Sequence, residues 1–151
     1  MLTLILYAMR PILCVIDLTK SSAAVLDTAV RIASAFKTHL VILFPYRLID
    51  YTYTGDLSAL NSKLVDDAKV KFNALKRQGE IVNHFSYEFC PEIGFSSDRI
   101  TSFLKAGEAD MVVIGQQQAN AMNELNKSTL QDLIKNSKLP FTIVPETNYE
   151  S

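Results

Sequence analysis

Residues 12–17 read ILCVID, a run of five apolar residues that ends at an aspartate. Two further runs are similar: LVILF at residues 40–44 ends at Pro45, and MVVI at residues 111–114 ends at Gly115. Short, unbroken apolar runs are typical of strands that are covered on both faces of a parallel sheet. We therefore predict that these three segments form the centre of one sheet.

Two other segments have the pattern of outer strands. Polar and apolar residues alternate strictly across residues 84–89 (HFSYEF), so only one face of this strand is expected to be buried. FTIV at residues 141–144 lies between Pro140 and Pro145, and proline beside a short strand favours the edge of a sheet. Placing these two segments outermost predicts the strand order 3-2-1-4-5.

The segments between the strands have apolar residues at helical spacing. The predicted buried positions are Leu26, Val30, Ala33 and Phe36 in a first helix, Leu60, Leu64, Ala68, Phe72 and Leu75 in a second, Ile100, Phe103 and Leu104 in a third, and Leu130, Leu133 and Ile134 in a fourth. Thr19 or Ser21 is expected to cap the first helix, and Ser128 and Gln131 have capping-box spacing at the start of the fourth. Strands that alternate with helices predict an α/β fold: a single doubly wound, five-stranded parallel sheet with helices on both faces.

In this strand order the direction of winding reverses between the first and fourth strands. Ligands of such sheets bind at this switch point, beyond the carboxyl ends of the strands. Asp17 and Gly115 directly follow those two strands, and Pro45 follows the neighbouring second strand. The sequence therefore predicts a ligand crevice at Asp17, Gly115 and Pro45.

The amino-acid composition indicates which binding partners and which cellular compartment are expected. The 15 basic and 16 acidic residues nearly cancel, which argues against nucleic acid or an anionic membrane as a partner. Two cysteines are too few for a disulfide framework and fit a reducing cytoplasm. The first eight residues (MLTLILYA) are far shorter than a membrane span of about 20 residues and lack the basic start of a signal peptide. We expect residues 1–9 to be an N-terminal extension, with Met9 as a candidate initiator, residues 10–147 to form one domain, and residues 148–151 to be a tail.

Four short segments follow one another in a recognisable order: ILCVIDLT at residues 12–19, GFSSDRI at residues 94–100, ADMVVIG at residues 109–115 and LPFTIVP at residues 139–145. Together they resemble the universal stress protein family over about residues 10–145. The resemblance implies a Rossmann-like fold of the adenine-nucleotide alpha hydrolase type. It also implies a role in the stress response.

The resemblance further implies where a nucleotide is held. Family members that bind nucleotide use a glycine-rich segment after the fourth strand, G-x2-G-x9-G-[ST]. This pattern maps here onto Gly115, Gln118, Ser128 and Thr129, so two of its three glycines are missing. Glycines in such loops adopt positive φ and let backbone N–H groups approach the phosphates, and the side chain of Gln118 is expected to crowd that space. The resemblance therefore implies a degraded triphosphate site.

Several of these residues have a structural alternative. The resemblance places Asp17 and Pro45 beside the adenine and ribose of a nucleotide, whereas Asp17 could equally cap the first helix. Ser128 and Thr129 could contact a phosphate at a helix N-terminus or simply form a capping box. Residues 116–118 (QQQ) are interpreted as a solvated loop rather than a recognition surface.

Two functional hypotheses compete. In the first, the protein is a non-enzymatic regulatory module with weak or absent ATP binding; the resemblance implies a homodimer through the closing strand, where Phe141, Ile143 and Val144 offer an apolar edge. In the second, it is a sensor that binds ATP or AMP in the switch-point crevice. The sequence contains no hydrolase motif and no histidine pair at metal-ligand spacing.

The tyrosine-rich residues 46–53 are expected to form a loop that covers the crevice or contacts a partner.

Overall fold

Strands and helices alternate along the chain in the computed structural model, which describes residues 9–48, 55–78, 85–124 and 128–145. The strands in these ranges are β1 (Ile12–Val15), β2 (Leu40–Tyr46), β3 (Tyr87–Ile93), β4 (Met111–Gly115) and β5 (Phe141–Val144). The helices are α1 (Ser22–Phe36), α2 (Leu57–Gln78), α3 (Ser96–Lys105), α4 (Gln116–Glu124) and α5 (Leu130–Ser137). At least one helix therefore separates each strand from the next.

All paired strands are parallel and lie in the order β3-β2-β1-β4-β5. β1 is central, with Val15 opposite both Leu43 of β2 and Ile114 of β4. The backbone N–H of Ile16 continues this pairing by donating to the carbonyl oxygen of Leu43 (3.0 Å). The predicted sheet and strand order are confirmed, and the carboxyl ends of β1, β2 and β4 lie side by side.

The central strand β1 shows how both faces of the sheet are covered. Successive side chains of a strand point to opposite faces, so Ile12 and Cys14 enter one core layer while Leu13 and Val15 enter the other. The first layer is completed by residues of α1 and α2, and the second by residues of α3, α4 and α5. The prediction of helices on both faces is confirmed.

Helix α4 occupies the residues for which the sequence pattern predicts a solvated loop. Its sequence, QQQANAMNE, contains neither glycine nor proline and consists largely of residues that favour helix. Ala119 and Met122, three residues apart, are buried against the sheet. The loop interpretation of residues 116–118 is wrong because it follows the family's glycine-rich pattern, whereas the residues present here favour a helix.

Helix α5 begins one residue later than the capping-box spacing predicts. Its N-cap is Thr129, whose hydroxyl accepts a hydrogen bond from the backbone N–H of Asp132 (3.2 Å). The carboxylate of Asp132 in turn accepts from the backbone N–H of Thr129 (3.0 Å). The predicted box of Ser128 and Gln131 is therefore wrong.

Two residues predicted to be buried are exposed, namely Phe36 (57%) and Ile134 (37%). Phe36 is the last residue of α1, and the chain turns away at Lys37, which has a left-handed backbone conformation. In α5 the buried residues are Leu130 and Leu133; Ile134 lies about 100° around the helix from Leu133 and about 40° from Leu130, at the border of the buried face. The first error arises at the end of a helix and the second at the border of a buried face, and periodicity alone fixes neither.

The borders of the outer strands also differ from the prediction. β3 runs from Tyr87 through Pro91 to Ile93, and a proline is tolerated because the strand lies at the edge of the sheet. Tyr46 is the last residue of β2 rather than part of a loop.

Other predictions rest on residues 1–8, 49–54, 84 and 148–151, which lie outside the described residues. Within the described ranges, no helix combines the length and the apolar character needed to cross a membrane.

Candidate functional site

The turn from β1 to α1 is organised by the carboxylate of Asp17. Its Oδ1 accepts hydrogen bonds from the backbone N–H (3.0 Å) and hydroxyl (2.6 Å) of Thr19 and from the hydroxyl of Ser22 (2.9 Å). Leu18 has a φ of 61°, a left-handed conformation that costs about 1 kcal/mol in a residue with a β-carbon. Ser21, the N-cap of α1, forms no side-chain cap bond. Asp17 therefore holds the turn, and its Oδ2 accepts no hydrogen bond from the described part of the chain.

A cleft of about 310 Å³ lies between the carboxyl ends of β1 and β2 and the helix α2. Its charged and aromatic lining residues are Asp17, Arg47, Asp67, Lys71, Phe44 and Tyr46. The two acidic and two basic side chains balance in charge. Small-molecule sites occupy roughly 300 to 1,000 Å³, so this cleft suits one compact ligand.

Contacts at the end of β2 orient one wall of the cleft. The hydroxyl of Tyr46 donates to the side-chain oxygen of Asn61 on α2, and its ring stacks on Phe44 with the centroids 5.8 Å apart. Burial raises the pKa of Tyr46, so its hydroxyl remains a neutral donor. The guanidinium carbon of Arg47 lies 4.1 Å from the centroid of the Phe95 ring, which is a cation–π contact.

The switch point between β1 and β4 is occupied by residues of the chain itself. Nε2 of Gln118, on α4, donates to the carbonyl oxygen of Ile16 just beyond β1 (3.2 Å). A β-carbon at Gly115 would lie 3.1 Å from Cγ2 of Val25, so α1 packs closely against the end of β4. Gln118 thus lies beside the end of β1, and it does so from a helix rather than from a loop.

Three backbone N–H groups at the start of α5 are already engaged in hydrogen bonds. The N–H groups of Thr129 and Asp132 form the capping box, and the N–H of Leu130 donates to Oδ1 of Asn123 (3.1 Å). The hydrogen bond from the backbone N–H of Thr129 lowers the pKa of Asp132, which keeps this carboxylate ionised. A negative charge thus already lies at the helix end where the family resemblance would place a phosphate.

The predicted site residues do not all come together. Asp17 lines the cleft, and Gln118 contacts the backbone of the residue next to it. Pro45 lies within β2, opposite Glu92 of β3. Ser128 lines a different cavity, of about 470 Å³, between α3 and α5. The structure thus separates the Asp17 cleft from the cavity that contains Ser128.

Sequence reasoning missed the charged residues that α2 and β2 bring to the cleft. Asp67 and Lys71 line it together with Leu64 and Ala68, at positions i, i+3, i+4 and i+7 of one helix face. That spacing is visible in the sequence and continues the predicted buried face. No comparable signal exists for Arg47, because its position depends on where β2 ends.

Both cysteines are expected to react slowly with thiol reagents in the folded protein. Burial and the nearby carboxylates of Glu88 and Glu92 raise the pKa of Cys90 to about 12, and burial also raises the pKa of Cys14. A raised pKa leaves little of Cys90 ionised at pH 8, and the thiolate is the reactive form of a cysteine. Ellman's reagent should label the native protein at least about 100-fold more slowly than the urea-unfolded protein. A fast native reaction that is lost in Cys90→Ser would contradict this expectation.

No group of three or more histidine, cysteine, aspartate or glutamate side chains able to hold a metal ion is found among the described residues. The described lining of the cleft offers hydrogen-bonding, aromatic and charged side chains. Groups of these kinds are suited to a small polar ligand.

Comparisons with known proteins identify the family. A model of the universal stress protein family matches residues 9–145. Among solved structures, a universal stress protein in complex with cAMP is 21% identical with a TM-score of 0.62, over 91% of this chain and 98% of that chain. The universal stress protein from Archaeoglobus fulgidus in complex with dAMP is 17% identical with a TM-score of 0.56, over 91% and 98%.

A third solved structure, a universal stress protein from Lactobacillus plantarum, is 20% identical with a TM-score of 0.63, over 90% of this chain and 97% of that chain. Among curated proteins, no sequence matches significantly. At these identities the structural likeness concerns the fold, whereas the family match extends over nearly the whole chain. The chain therefore belongs to the universal stress protein family.

Proposed function

We propose that the protein is a non-enzymatic regulatory module of the stress response, which acts in the cytoplasm as a homodimer and binds ATP weakly or not at all. The contact between Gln118 and the carbonyl oxygen of Ile16 carries the proposal about ATP. It places a helix and an amide side chain at the switch point, where a glycine-rich loop would leave space for phosphates.

Electrostatics at the start of α5 support the same conclusion. A phosphate there would have to displace the bonds that the backbone N–H groups of Thr129, Leu130 and Asp132 already make. It would also be repelled by the Asp132 carboxylate. Between Gly115 and Thr129 the sequence has one basic residue, Lys127, which lies outside the described residues. A triphosphate is therefore expected to bind weakly.

The open edge of β5 supports the homodimer. β5 pairs with β4 on one side and with no other strand of the described chain. Of the three residues predicted for the interface, Ile143 is 43% exposed, Phe141 is half-buried and Val144 is buried. Ile143 is therefore the side chain on which pairing with a second copy would chiefly depend.

The chemistry of the cleft supports a role in binding rather than catalysis. The two hydroxyl groups that line it, those of Thr19 and Tyr46, donate to Asp17 and Asn61. No histidine or cysteine is among its described lining residues, so these hydroxyls have no imidazole base beside them. Such an arrangement suits recognition of a ligand.

Titration of the purified protein with Mg·ATP in a calorimeter is expected to give a dissociation constant weaker than about 100 μM, which corresponds to less than about 5.5 kcal/mol of binding free energy. ATP should bind weakly because Gln118 occupies the switch point and because the backbone N–H groups of Thr129, Leu130 and Asp132 already form hydrogen bonds. Saturable binding tighter than this value would contradict the proposed weak ATP site and favour an ATP sensor.

The double variant Gln118→Gly with Ser128→Gly restores the two missing glycines and is expected to bind ATP more tightly than the wild type. Its matched control is Gln117→Gly with Ser128→Gly, which introduces the same number of glycines at an exposed neighbour of Gln118. Equal affinities of the two variants would show that the side chain of Gln118 does not limit the site.

A second candidate function is a sensor of AMP or ATP that uses the cleft beside Asp17. The cleft favours this candidate, because its volume of about 310 Å³ suits a compact ligand and its lining includes two basic side chains that can bind a negative group. Two of the structural neighbours are described as complexes with cAMP and dAMP. Calorimetric titration with AMP tests this candidate separately from ATP, and the absence of saturable binding would remove it.

A further inference from the structure

We propose that Arg47 and Lys71 form an anion-binding wall of the cleft and hold the phosphate of a mononucleotide on the α2 side, away from α4. This inference rests on the second candidate function. Beyond that function, it specifies where the phosphate of the ligand lies and that the ligand is a mononucleotide. The wall is defined by these two side chains and lies on the β2 and α2 side of Asp17.

Lys71 reaches the cleft because of its position on α2. It lies three residues after Ala68, which is buried and holds this face of the helix against the rest of the protein. The backbone at Lys71 is therefore fixed, while its long side chain keeps the ammonium group at the exposed rim. The ammonium group of Lys71 can therefore move to contact a small anion in the cleft while the helix stays in place.

Arg47 approaches the same cleft from the end of β2. Its guanidinium group lies over the Phe95 ring at 4.1 Å, which restricts its orientation. A guanidinium that stacks through one face keeps its N–H donors at the edge, where they can bind phosphate oxygens. Arg47 is thus positioned for an anion before any ligand is present.

Neither positive charge is neutralised by the described part of the chain. The ion pair found there is Arg31 with Asp27 on α1 (3.1 Å). No described carboxylate lies within 4.0 Å of Arg47 or Lys71, although Asp67 lines the cleft one helical turn before Lys71. The carboxylates of Asp17 and Asp67 also line the cavity, but neither is ion-paired with these cations among the described residues, so both cations remain available to a ligand with a negative group.

The other groups in the cleft indicate what else the ligand carries. Oδ2 of Asp17 remains an acceptor for an N–H or O–H donor, because the described hydrogen bonds of this carboxylate all go to Oδ1. The stacked rings of Phe44 and Tyr46 offer an apolar aromatic surface. A planar base with donor groups and one phosphate matches this set, whereas the volume leaves little space for three phosphates.

The test is a calorimetric comparison of AMP and adenosine on the wild type, Lys71→Met, Arg47→Met and Lys69→Met. Methionine removes the charge and keeps most of the side-chain length. Lys69 is exposed on the same helix but does not line the cleft, so Lys69→Met is the matched control. Each wall variant is expected to weaken AMP about fivefold to tenfold, a modest factor because both cations are partly screened by solvent. Adenosine affinity and the Lys69→Met variant should remain within about twofold of the wild type.

Each other outcome has its own meaning. If AMP binds but neither wall variant weakens it, the phosphate lies elsewhere and the inference is wrong, while the sensor function stands. If both variants weaken adenosine as much as AMP, the two side chains support the base and the inference is also wrong. If neither ligand binds to the wild type, the inference and the sensor candidate both fall, and the proposed module without nucleotide binding remains.

Discussion

Replacing Asp17 by alanine is expected to lower the free energy of unfolding by about 2–3 kcal/mol. The carboxylate accepts three hydrogen bonds in the turn before α1, two from Thr19 and one from Ser22. Ser22 is buried, so the loss of its acceptor leaves a hydroxyl without a partner in the protein interior. These bonds also help to offset the cost of the left-handed backbone of Leu18. Urea unfolding followed by circular dichroism measures the effect.

Two further variants separate the sources of this loss. Asp17→Asn keeps an oxygen in the place of Oδ1 and is expected to cost no more than about 1 kcal/mol. Adding Ser22→Ala to Asp17→Ala removes the orphaned hydroxyl, so the double variant should be at least as stable as Asp17→Ala alone. Stability of Asp17→Ala within about 0.5 kcal/mol of the wild type would show that the turn does not depend on this carboxylate.

Asp17→Asn also separates the structural role of this residue from a ligand role. The amide retains the acceptor that holds the turn but puts an NH₂ donor in the place of Oδ2. If the carboxylate also binds the base of a mononucleotide, this variant should lose AMP affinity while it stays folded. If AMP binds equally well to both proteins, Asp17 serves only the turn.

The fold could be predicted from the sequence because burial on both faces of a strand leaves a strong pattern. The runs at residues 12–16, 40–44 and 111–114 became the central strands β1, β2 and β4, and the two weaker segments became the edges. One error lies at a place where two neighbouring residues compete for the same role. Thr129 rather than Ser128 caps α5, since Asp132 completes its capping box with a charged acceptor, which binds an N–H more strongly than an amide does.

The candidate site was less predictable because it depends on how separate elements meet. Asp17 could be located from the end of β1 alone, since parallel strands bring their carboxyl ends to one edge. The helical state of residues 116–124 could be inferred from their helix propensity, but the family pattern suggested a loop. Gly94 shows the limit of such reasoning: its φ of +139° and the Arg99 side chain 3.0 Å from a β-carbon there depend on the folded β3–α3 turn.

Ile143→Asp is expected to convert the protein from a dimer to a monomer and has the largest expected effect on assembly. In a symmetric interface along β5, each copy would bury one added carboxylate, and the desolvation cost of these two charges weakens association by at least about 100-fold. Light scattering after size exclusion should give twice the 16.9 kDa chain mass for the wild type and 16.9 kDa for the variant.

Val70→Asp is the matched control for this experiment. The side chain of Val70 is 68% exposed, more than that of Ile143. It lies on α2, where Phe72 stacks on Phe89 of β3. Strand β3 is at the opposite edge of the sheet from β5. An aspartate there should leave the dimer intact if β5 forms the interface. A wild type that elutes as a monomer would remove the dimer proposal. A dimer that persists in Ile143→Asp and dissociates in Val70→Asp would place the interface on α2, because only a surface that is buried on association is sensitive to an added charge.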